Sequence, residues 1–163
     1  MKLAVVSDTH VGDRLRCLPS PLLSSLEAEK PDLILHAGDV ASAEALEVLE
    51  DIAPTVAVRG NADRLHLPEE ETVAAGDFRI GIIHGHQLFS LNAQSLTLKA
   101  LEMGVDVLIF GHTHRYYYDS YSLHGRRVTL LNPGSPTFPR FEGPGFAVLK
   151  VGGEIEVRRV LLY

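Results

Sequence analysis

The sequence has little cysteine: Cys17 is the single one among 163 residues, so no disulfide can form within the chain. Metal sites built from several thiolates are excluded for the same reason. Any bound metal must therefore take nitrogen and oxygen ligands. The length suits one domain over residues 1–163, large enough to bury a core without covalent cross-links.

Long apolar runs are also lacking, and basic side chains are in the minority. The N-terminal apolar run, Leu3 to Val6, is far too short for a signal sequence or a membrane span, which predicts a cytoplasmic protein with no membrane partner. The 15 basic and 21 acidic side chains give a net charge of -6. This charge argues against a nucleic-acid partner and against a nuclease, because such proteins normally present a basic surface. A small phosphate-containing substrate is still compatible, since bound cations would reverse the local field.

The first two-thirds of the chain alternates short apolar runs with amphipathic stretches. The apolar runs predict buried strands at Leu3–Val6, Leu33–Leu35, Thr55–Val58, Arg79–Ile83 and Val105–Phe110. The amphipathic stretches predict helices at Leu22–Glu29, Ser42–Asp51 and Asn92–Met103. Ser42 and Asn92 are suitable N-caps, and Gly104 is a suitable helix end. This alternation is typical of βαβ units.

The last third changes character and contains mainly strand-like runs. These lie at Tyr116–Leu123, Arg127–Leu131, Phe146–Val151 and Glu154–Leu162. Glycine-containing turns join them, which predicts antiparallel hairpins. A compact arrangement is two packed sheets with helices outside, so we predict an α/β sandwich.

Five of the predicted strands end in a similar way, at Asp, Asn or His beside glycine. The ends read Ser7-Asp8-Thr9-His10, His36-Ala37-Gly38-Asp39, Arg59-Gly60-Asn61-Ala62-Asp63, His84-Gly85-His86 and Gly111-His112-Thr113-His114. Ligands bind at the carboxyl ends of strands in open α/β sheets, so we expect five neighbouring strands to bring these residues to one crevice. Asp8 and His10 are two residues apart, as are His112 and His114. In extended backbone, each pair would share a face.

These residue types favour a metal centre. Imidazole and carboxylate together suit manganese, iron, cobalt, nickel or zinc. The two oxygens of Asp39 can bridge two ions, and ions roughly 3.5–4 Å apart clamp a phosphoryl group. Each motif alone is weak, because a Gly-Asn-x-Asp turn more often bonds its own backbone. Together they favour metal, since so many ionisable groups in one crevice would otherwise repel each other or stay unsatisfied.

In this order the motifs resemble the signature of the calcineurin-like metallophosphoesterases. The short length, the GNAD turn and the Asn132-Pro133-Gly134-Ser135 segment are similar to the small YfcE-type phosphodiesterase branch. The resemblance implies a four-layer αββα sandwich of two mixed sheets flanked by helices. It also implies two divalent ions, manganese first, with nickel, cobalt, iron and zinc as alternatives. One ion would take Asp8, His10, Asp39 and His114, and the other would take Asp39, Asn61, His84 and His112.

The resemblance further implies that a metal-bound hydroxide attacks a phosphodiester in line, with a phosphomonoester as a close variant. Many superfamily members carry His after the Asn of the third motif, where it helps to protonate the leaving group; here that position is Ala62. Three alternatives are open for protonation of the leaving oxygen: the metal and water protonate it, His86 protonates it, or the natural leaving group is good enough to need no acid. The expected catalytic residues are therefore Asp39, Asn61 and His86. Asn61 and Arg140 are the expected substrate-binding residues, although a solvated Arg140 in the loop 136–145 explains the sequence almost as well.

Other polar residues have simpler interpretations. His36 lies within a strand, which favours a buried, hydrogen-bonded structural role. His66 and His124 are expected at the surface. Asp63 either orients Asn61 or closes its turn. Tyr116–Tyr118 are expected to alternate between the faces of a strand rather than to border a cleft or a subunit interface.

A second function class stays open, that of a protein-interaction scaffold. The fold family includes a retromer subunit that resembles these enzymes but has an eroded metal site. In this chain every ligand position holds a competent residue, which favours the enzyme. A homo-oligomer, either a dimer or a tetramer, also stays open, because small enzymes of this type often self-associate and the aromatic strands offer surface for it.

Overall fold

The computed structural model describes all 163 residues and contains ten strands and three helices. The strands are β1 (Lys2–Val6), β2 (Leu33–His36), β3 (Thr55–Ala57), β4 (Glu70–Ala75), β5 (Phe78–Ile83), β6 (Val107–Ile109), β7 (Tyr116–Leu123), β8 (Arg126–Pro133), β9 (Gly145–Val151) and β10 (Ile155–Leu161). The helices are α1 (Ser20–Glu29), α2 (Ala43–Glu50) and α3 (Ala93–Met103). No helix is long and apolar enough to cross a membrane.

The strands form two mixed sheets of five strands each. The first sheet has the order β10-β9-β1-β2-β3, and the second has the order β4-β5-β6-β8-β7. In the first sheet β1, β2 and β3 run parallel, while β9 is antiparallel to both β1 and β10. In the second sheet β5, β6 and β8 run parallel, while β4 and β7 form antiparallel edges.

The two sheets pack face to face between outer helices, as strand β1 illustrates. Leu3 and Val5 point into the layer between the sheets, where they join side chains of the second sheet such as Ile80. Ala4 and Val6 point the other way, into a second core that contains α1 and α2. Burial on both faces explains why β1 is apolar throughout. A third core packs α3 on the outer face of the second sheet, so the predicted four-layer αββα sandwich is confirmed.

The predicted helix ends are also confirmed. The Ser42 hydroxyl accepts a hydrogen bond from the Ala45 amide at 3.2 Å, and the Asn92 side chain accepts one from the Ser95 amide at 2.8 Å. Each satisfies one of the free N–H groups at a helix start. Gly104 ends α3 in the left-handed conformation, with φ of 68°.

Two expectations need correction. Strand β4 was not predicted, because its sequence begins with two glutamates and it forms an exposed sheet edge, where alternation is weak. The hairpins β7–β8 and β9–β10 are confirmed, but the last third is not purely antiparallel. Strand β8 also pairs in parallel with β6, which the sequence separates from it by the whole of β7.

Candidate metal centre

The carboxyl ends of five strands meet at one edge of the sandwich. The loops that follow them bring together the side chains of Asp8, His10, Asp39, Asn61, His84, His112 and His114. The sequence had suggested that these five strands are neighbours in one sheet, and this expectation was wrong. Strands β1, β2 and β3 belong to the first sheet, whereas β5 and β6 belong to the second. The candidate site therefore lies across the junction of the two sheets.

The backbone at these residues is not extended, so the expectation that paired residues share a face was wrong. Five of the seven residues have left-handed backbone, with φ of 56° at Asp8, 53° at His10, 56° at Asp39, 70° at His112 and 58° at His114. Each such residue costs on the order of 1–3 kcal/mol, which the surrounding structure must offset. Backbone hydrogen bonds supply part of this, from the Asp8 amide to Gly38 O at 3.0 Å and from the His10 amide to Asp39 O at 2.9 Å.

One group of donor atoms comes from Asp8, His10 and His114. The two Nε2 atoms of the histidines are 3.3 Å apart, and His114 Nε2 is 3.4 Å from Asp8 Oδ1. His10 Nε2 is also 3.5 Å from Asp39 Oδ2. All three side chains are buried. The spacing leaves a small polar centre that one cation can share.

A second group comes from Asp39, Asn61, His84 and His112. Asn61 Oδ1 is 2.9 Å from His84 Nε2 and 3.0 Å from His112 Nδ1. His84 Nε2 is 3.2 Å from Asp39 Oδ2. The same Asp39 oxygen thus faces both groups. Asn61 and His112 are exposed, so this second group is open to solvent.

Hydrogen bonds behind the rings fix which nitrogen faces inward in three of the four histidines. His84 Nδ1 donates to Ala37 O at 2.8 Å, and His114 Nδ1 donates to Phe138 O at 2.7 Å. A carbonyl oxygen can only accept, so these nitrogens carry hydrogen. In the neutral ring Nε2 then keeps a lone pair directed at the centre, the arrangement usual for metal-binding histidines. His10 Nδ1 is backed by the Asp13 carboxylate at 2.8 Å.

The Asp8 carboxylate is incompletely satisfied. Its Oδ2 accepts hydrogen bonds from the Ser7 hydroxyl at 2.7 Å and from the His112 amide at 3.1 Å. Its Oδ1 has no hydrogen-bond partner, and the residue is fully buried. A buried carboxylate oxygen without a partner is costly unless a cation neutralises it. The donor set therefore fits a divalent metal.

The pKa values follow from burial and from the mutual charges of the group. Burial raises the pKa of Asp8, despite the nearby His84 and His114. Burial acts in the same direction on Asp39, but the hydrogen bond and charge of His84 outweigh it and lower the pKa of Asp39 to about 2. Burial opposes the charge on His84, yet Asp39 and Asp8 raise its pKa overall. The two carboxylates therefore favour the protonated form of His84, whereas burial lowers the pKa of His112.

Glycines allow the close approach of these loops. A Cβ at Gly60 would overlap the backbone nitrogen and Oδ1 of Asp39. A Cβ at Gly111 would overlap the Ser7 hydroxyl and lie 2.8 Å from Asp8 Oδ2. Any larger residue at either position would displace a carboxylate of the centre.

The structure places His86 and Arg140 outside the cluster of donor atoms. The His86 ring centroid is 5.4 Å from that of His84, and its Nε2 is 4.0 Å from Glu69 Oε2. Burial, together with His84, lowers the pKa of His86. Arg140 is exposed; its backbone amide donates to His114 O at 2.9 Å, while its side chain lines a neighbouring cavity.

Several residues that support the centre were not assigned this role from the sequence. The hydroxyls of Ser135 and Thr137 both donate to Asp8 O, at 2.9 and 3.1 Å. Asn132 Nδ2 donates to Gly111 O at 3.0 Å. The Asn132–Ser135 segment had been noted only because it resembles the small phosphodiesterase branch. Nothing in the sequence indicated that Ser135 contacts Asp8, which is 127 positions away.

The polar residues that the sequence placed outside the metal centre lie largely where they were expected. His36 is buried and bonded to Thr9 Oγ1 at 3.0 Å, and burial lowers its pKa to about 3. His66 and His124 are exposed. Tyr116 packs against the core between the sheets, whereas Tyr117 packs on the α3 side, so the rings alternate.

Two mixed sheets that gather histidines and carboxylates at their strand ends define an α/β sandwich protein with a donor set suited to divalent metals. The family model for the calcineurin-like phosphoesterase superfamily domain matches residues 1–154. The chain therefore belongs to the calcineurin-like phosphoesterase superfamily, as its motifs predicted.

Two relatives with similar sequences are named as members of the same class of enzyme. A probable metallophosphoesterase of Methanocaldococcus jannaschii is 42% identical over 161 residues, which cover 98% of this chain and 81% of the relative. A probable metallophosphoesterase of Methanothermobacter thermautotrophicus is 40% identical, over 94% of this chain and 88% of the relative.

Solved structures show the same fold. Vps29 of Entamoeba histolytica complexed with zinc superimposes with a TM-score of 0.79 and 27% identity, over the full length of both chains. A structure described as a novel archaeal phosphodiesterase has a TM-score of 0.72 and 24% identity, over 98% of this chain and 99% of the other. This second likeness is one of fold alone.

Proposed function

We propose that this chain is a phosphodiesterase that works with two divalent cations. The observation that carries the proposal is the position of Asp39: its Oδ2 lies 3.5 Å from His10 Nε2 in one donor group and 3.2 Å from His84 Nε2 in the other. A carboxylate shared by two groups of nitrogen and oxygen donors is suited to bridge two ions.

The two donor groups supply the proposed ligands. One cation would be held by Asp8, His10, Asp39 and His114, and the other by Asp39, Asn61, His84 and His112. Manganese is the first candidate, and nickel, cobalt, iron and zinc suit the same donors. When bound, such a pair supplies Lewis acidity to phosphoryl oxygens and lowers the pKa of a water molecule.

The protein's own residues would bind and orient the ester. Asn61 turns Oδ1 toward His84 and His112, which leaves its amide nitrogen free to donate to a phosphoryl oxygen. His86 stands next to His84 and has one buried ring nitrogen, Nδ1, without a partner, so it is placed to hold or deliver a proton. Arg140 lies beyond His114 and would meet the part of the substrate outside the phosphate.

The preference for a diester rests on two resemblances, and Ala62 adds a preference for the leaving group. The GNAD turn resembles the small phosphodiesterase branch, and a protein described as an archaeal phosphodiesterase shares the fold. In addition, Ala62 stands where many superfamily members carry an acid, so turnover should favour esters with acidic leaving groups. Such leaving groups depart without protonation.

A binding scaffold is the competing proposal, since Vps29 proteins share the fold and one of them is described in complex with a cyclic peptide. The seven proposed ligands of this chain are all competent donors, and their geometry supports the enzyme. A scaffold would not need four imidazoles that face one centre, nor the buried and unpartnered Asp8 oxygen.

The test combines metal analysis with turnover of bis(4-nitrophenyl) phosphate in manganese, nickel, cobalt and zinc. Asp39→Asn should lose bound metal and most of the turnover, whereas Asp77→Asn, an exposed turn variant of the same chemistry, should keep both. Two metal ions per chain with metal-dependent cleavage would support the proposal. Failure of all four metals to give cleavage, or one ion per chain at saturation, would count against it.

A further inference from the structure

A cavity of about 450 Å³ lies between the start of α3 and the loop that joins β8 to β9. Leu96 and Phe110 form its buried floor, and Leu91, Tyr117 and Phe141 form apolar walls. Its size falls within the range of small-molecule sites, which is about 300–1,000 Å³. None of the proposed metal ligands lines it, so it is a separate compartment.

The cavity adjoins the candidate metal centre through shared backbone. Thr113 lines the cavity and lies between His112 and His114. Leu91 lines it from the other side and packs against Gly85, where an added Cβ would lie 2.8 Å from Leu91 Cδ2. Thr113 is the direct chain neighbour of His112 and His114, so its Cα lies about 3.8 Å from each of theirs. On the other side, Leu91 approaches Gly85, which follows His84 in the chain. The cavity therefore borders the centre.

The charges of the cavity are of one sign. Arg115 and Arg140 line it, and no acidic residue does. Neither guanidinium forms an ion pair with a carboxylate, although the chain as a whole has a net charge of -6. The Arg115 guanidinium lies 5.5 Å from the centre of the Phe141 ring, which places a cation and an aromatic face at the same wall. Phe141 itself is 89% exposed.

We infer that this cavity binds the organic group of the substrate ester and selects an aromatic ring that carries a negative charge. The inference rests on the proposed phosphodiesterase function. The ring would pack against Leu91 and stack on Tyr117 or Phe141, whose aromatic faces suit it. The charged substituent, a carboxylate, sulfonate or second phosphate, would bind Arg115 and Arg140.

Binding alone can be measured on metal-free protein, with naphthalene-2-sulfonate as the probe. Its neutral counterpart, 2-naphthol, and the ringless anion methanesulfonate separate the contributions of charge and ring. The sulfonate should bind at least about tenfold more tightly than either one. The double variant R115Q/R140Q should weaken that binding about tenfold, while R126Q, an exposed arginine variant at the opposite end of β8, should leave it within about twofold.

Turnover tests the same inference with three 4-nitrophenyl phosphodiesters that share one leaving group. Their second ester group is methyl, benzyl or 4-carboxybenzyl. The wild-type protein should show the lowest KM for the 4-carboxybenzyl ester, and R115Q/R140Q should raise that KM relative to the KM of the methyl ester measured on the same variant. Phe141→Ser, at an exposed position that does not hold the fold together, should reduce the preference for benzyl over methyl.

The outcomes separate this inference from the proposed function. If none of the esters is cleaved with any metal but the sulfonate binds as described, the phosphodiesterase fails and the anion-selective aromatic cavity stands as a binding site. If all three esters are cleaved with equal KM, and the arginine variants bind the sulfonate as the wild type does, the cavity inference is overturned while the enzyme stands.

Discussion

The carboxylate of Asp63 holds the backbone of Asp39. Its Oδ2 accepts hydrogen bonds from the Asp39 amide at 2.9 Å and from the Gly60 amide at 2.8 Å, and its Oδ1 accepts one from the Ala41 amide at 2.7 Å. The sequence had suggested that Asp63 either orients Asn61 or closes its own turn. Asp63 makes no hydrogen bond with Asn61. It closes its own turn through Gly60 and, in addition, fixes the left-handed conformation of Asp39.

Replacement of Asp63 by Asn should therefore damage the centre without removal of any proposed ligand. An amide keeps the shape but puts an N–H group against backbone N–H donors, so at least one of the three bonds is lost. We expect unfolding to become easier by about 2–4 kcal/mol, since hydrogen bonds to charged groups are worth roughly 1.5–3 kcal/mol each. Urea denaturation of metal-free protein measures this.

The same variant should bind metal more weakly, because residues that orient ligands typically contribute roughly 10–100-fold to metal affinity. Titration with manganese, followed by calorimetry, measures the change. Asp77→Asn is the matched control, since Asp77 is exposed in the turn between β4 and β5. Unchanged metal affinity in Asp63→Asn would show that the conformation of Asp39 does not depend on these bonds.

Metal binding should release a proton and weaken at lower pH, with His84 as the main source. Asp39 and Asp8 raise the pKa of this ring above its ordinary value of 6.5, so the metal-free ring keeps a proton on its inward-facing nitrogen to a higher pH than a free imidazole does. A cation must displace that proton. Below the raised pKa, affinity should fall about tenfold per pH unit. Calorimetry in buffers of different ionisation enthalpy counts the protons released; a count of zero at pH 7 would contradict this account.

How much of the site the sequence could predict depends on what kind of feature is asked for. Which residues gather at the site was predictable, because Asp8, Asp39 and His84 each stand within four residues of the end of an apolar run, and runs of that kind end at one edge of a sandwich. The helix caps Ser42 and Asn92 were predictable because each bonds a backbone amide only three residues further along the chain. These signals are local.

The left-handed backbone of the site was not predictable, because its causes are distant in sequence. Asp8 is fixed by Gly38 and Ser135, and Asp39 is fixed by Asp63. Asp and His adopt positive φ more often than most non-glycine residues, but only in a small minority of cases, so their identity alone does not predict it and these tertiary bonds decide it. The distribution of the strand ends over two sheets likewise depends on long-range pairing that a strand's own sequence does not specify.

Acid should destabilise the protein through His36, whose ring is buried and neutral. Its pKa is about 3 in the folded chain against an ordinary value of 6.5, so between these values the unfolded chain binds more protons than the folded one. The stabilising contribution is therefore complete above pH 6.5 and is lost as the pH falls toward 3, by an amount on the order of a few kcal/mol in total.

The pH dependence of urea denaturation, measured on metal-free protein from pH 7.5 to pH 5, checks this contribution. His36→Asn should be less stable at neutral pH, because it disturbs the bonds to Thr9 Oγ1 and from the Gly38 amide. It should nevertheless lose less stability on acidification than the wild type does. Parallel pH profiles for the two proteins would assign the acid sensitivity to other groups.

A histidine at position 62 should supply the acid that this chain lacks. Ala62 lies beside the proposed bridging carboxylate, since its backbone amide donates to Asp39 Oδ1 at 2.8 Å, and its side chain is half-buried with access to solvent. A general acid typically contributes about 10²–10⁴-fold when the leaving group is poor, and contributes little when the leaving group is a stable anion. Ala62→His should therefore raise kcat for an alkyl leaving group by at least about tenfold, while kcat for 4-nitrophenol release changes little.

Ala62→Asn provides the control, because it adds a polar side chain that cannot donate a proton to the leaving oxygen. Equal gains for alkyl and nitrophenyl esters, or the same gain with Asn, would show that the new side chain does not act as a general acid. No gain for the alkyl ester would mean that another group, such as His86, already protonates the departing oxygen.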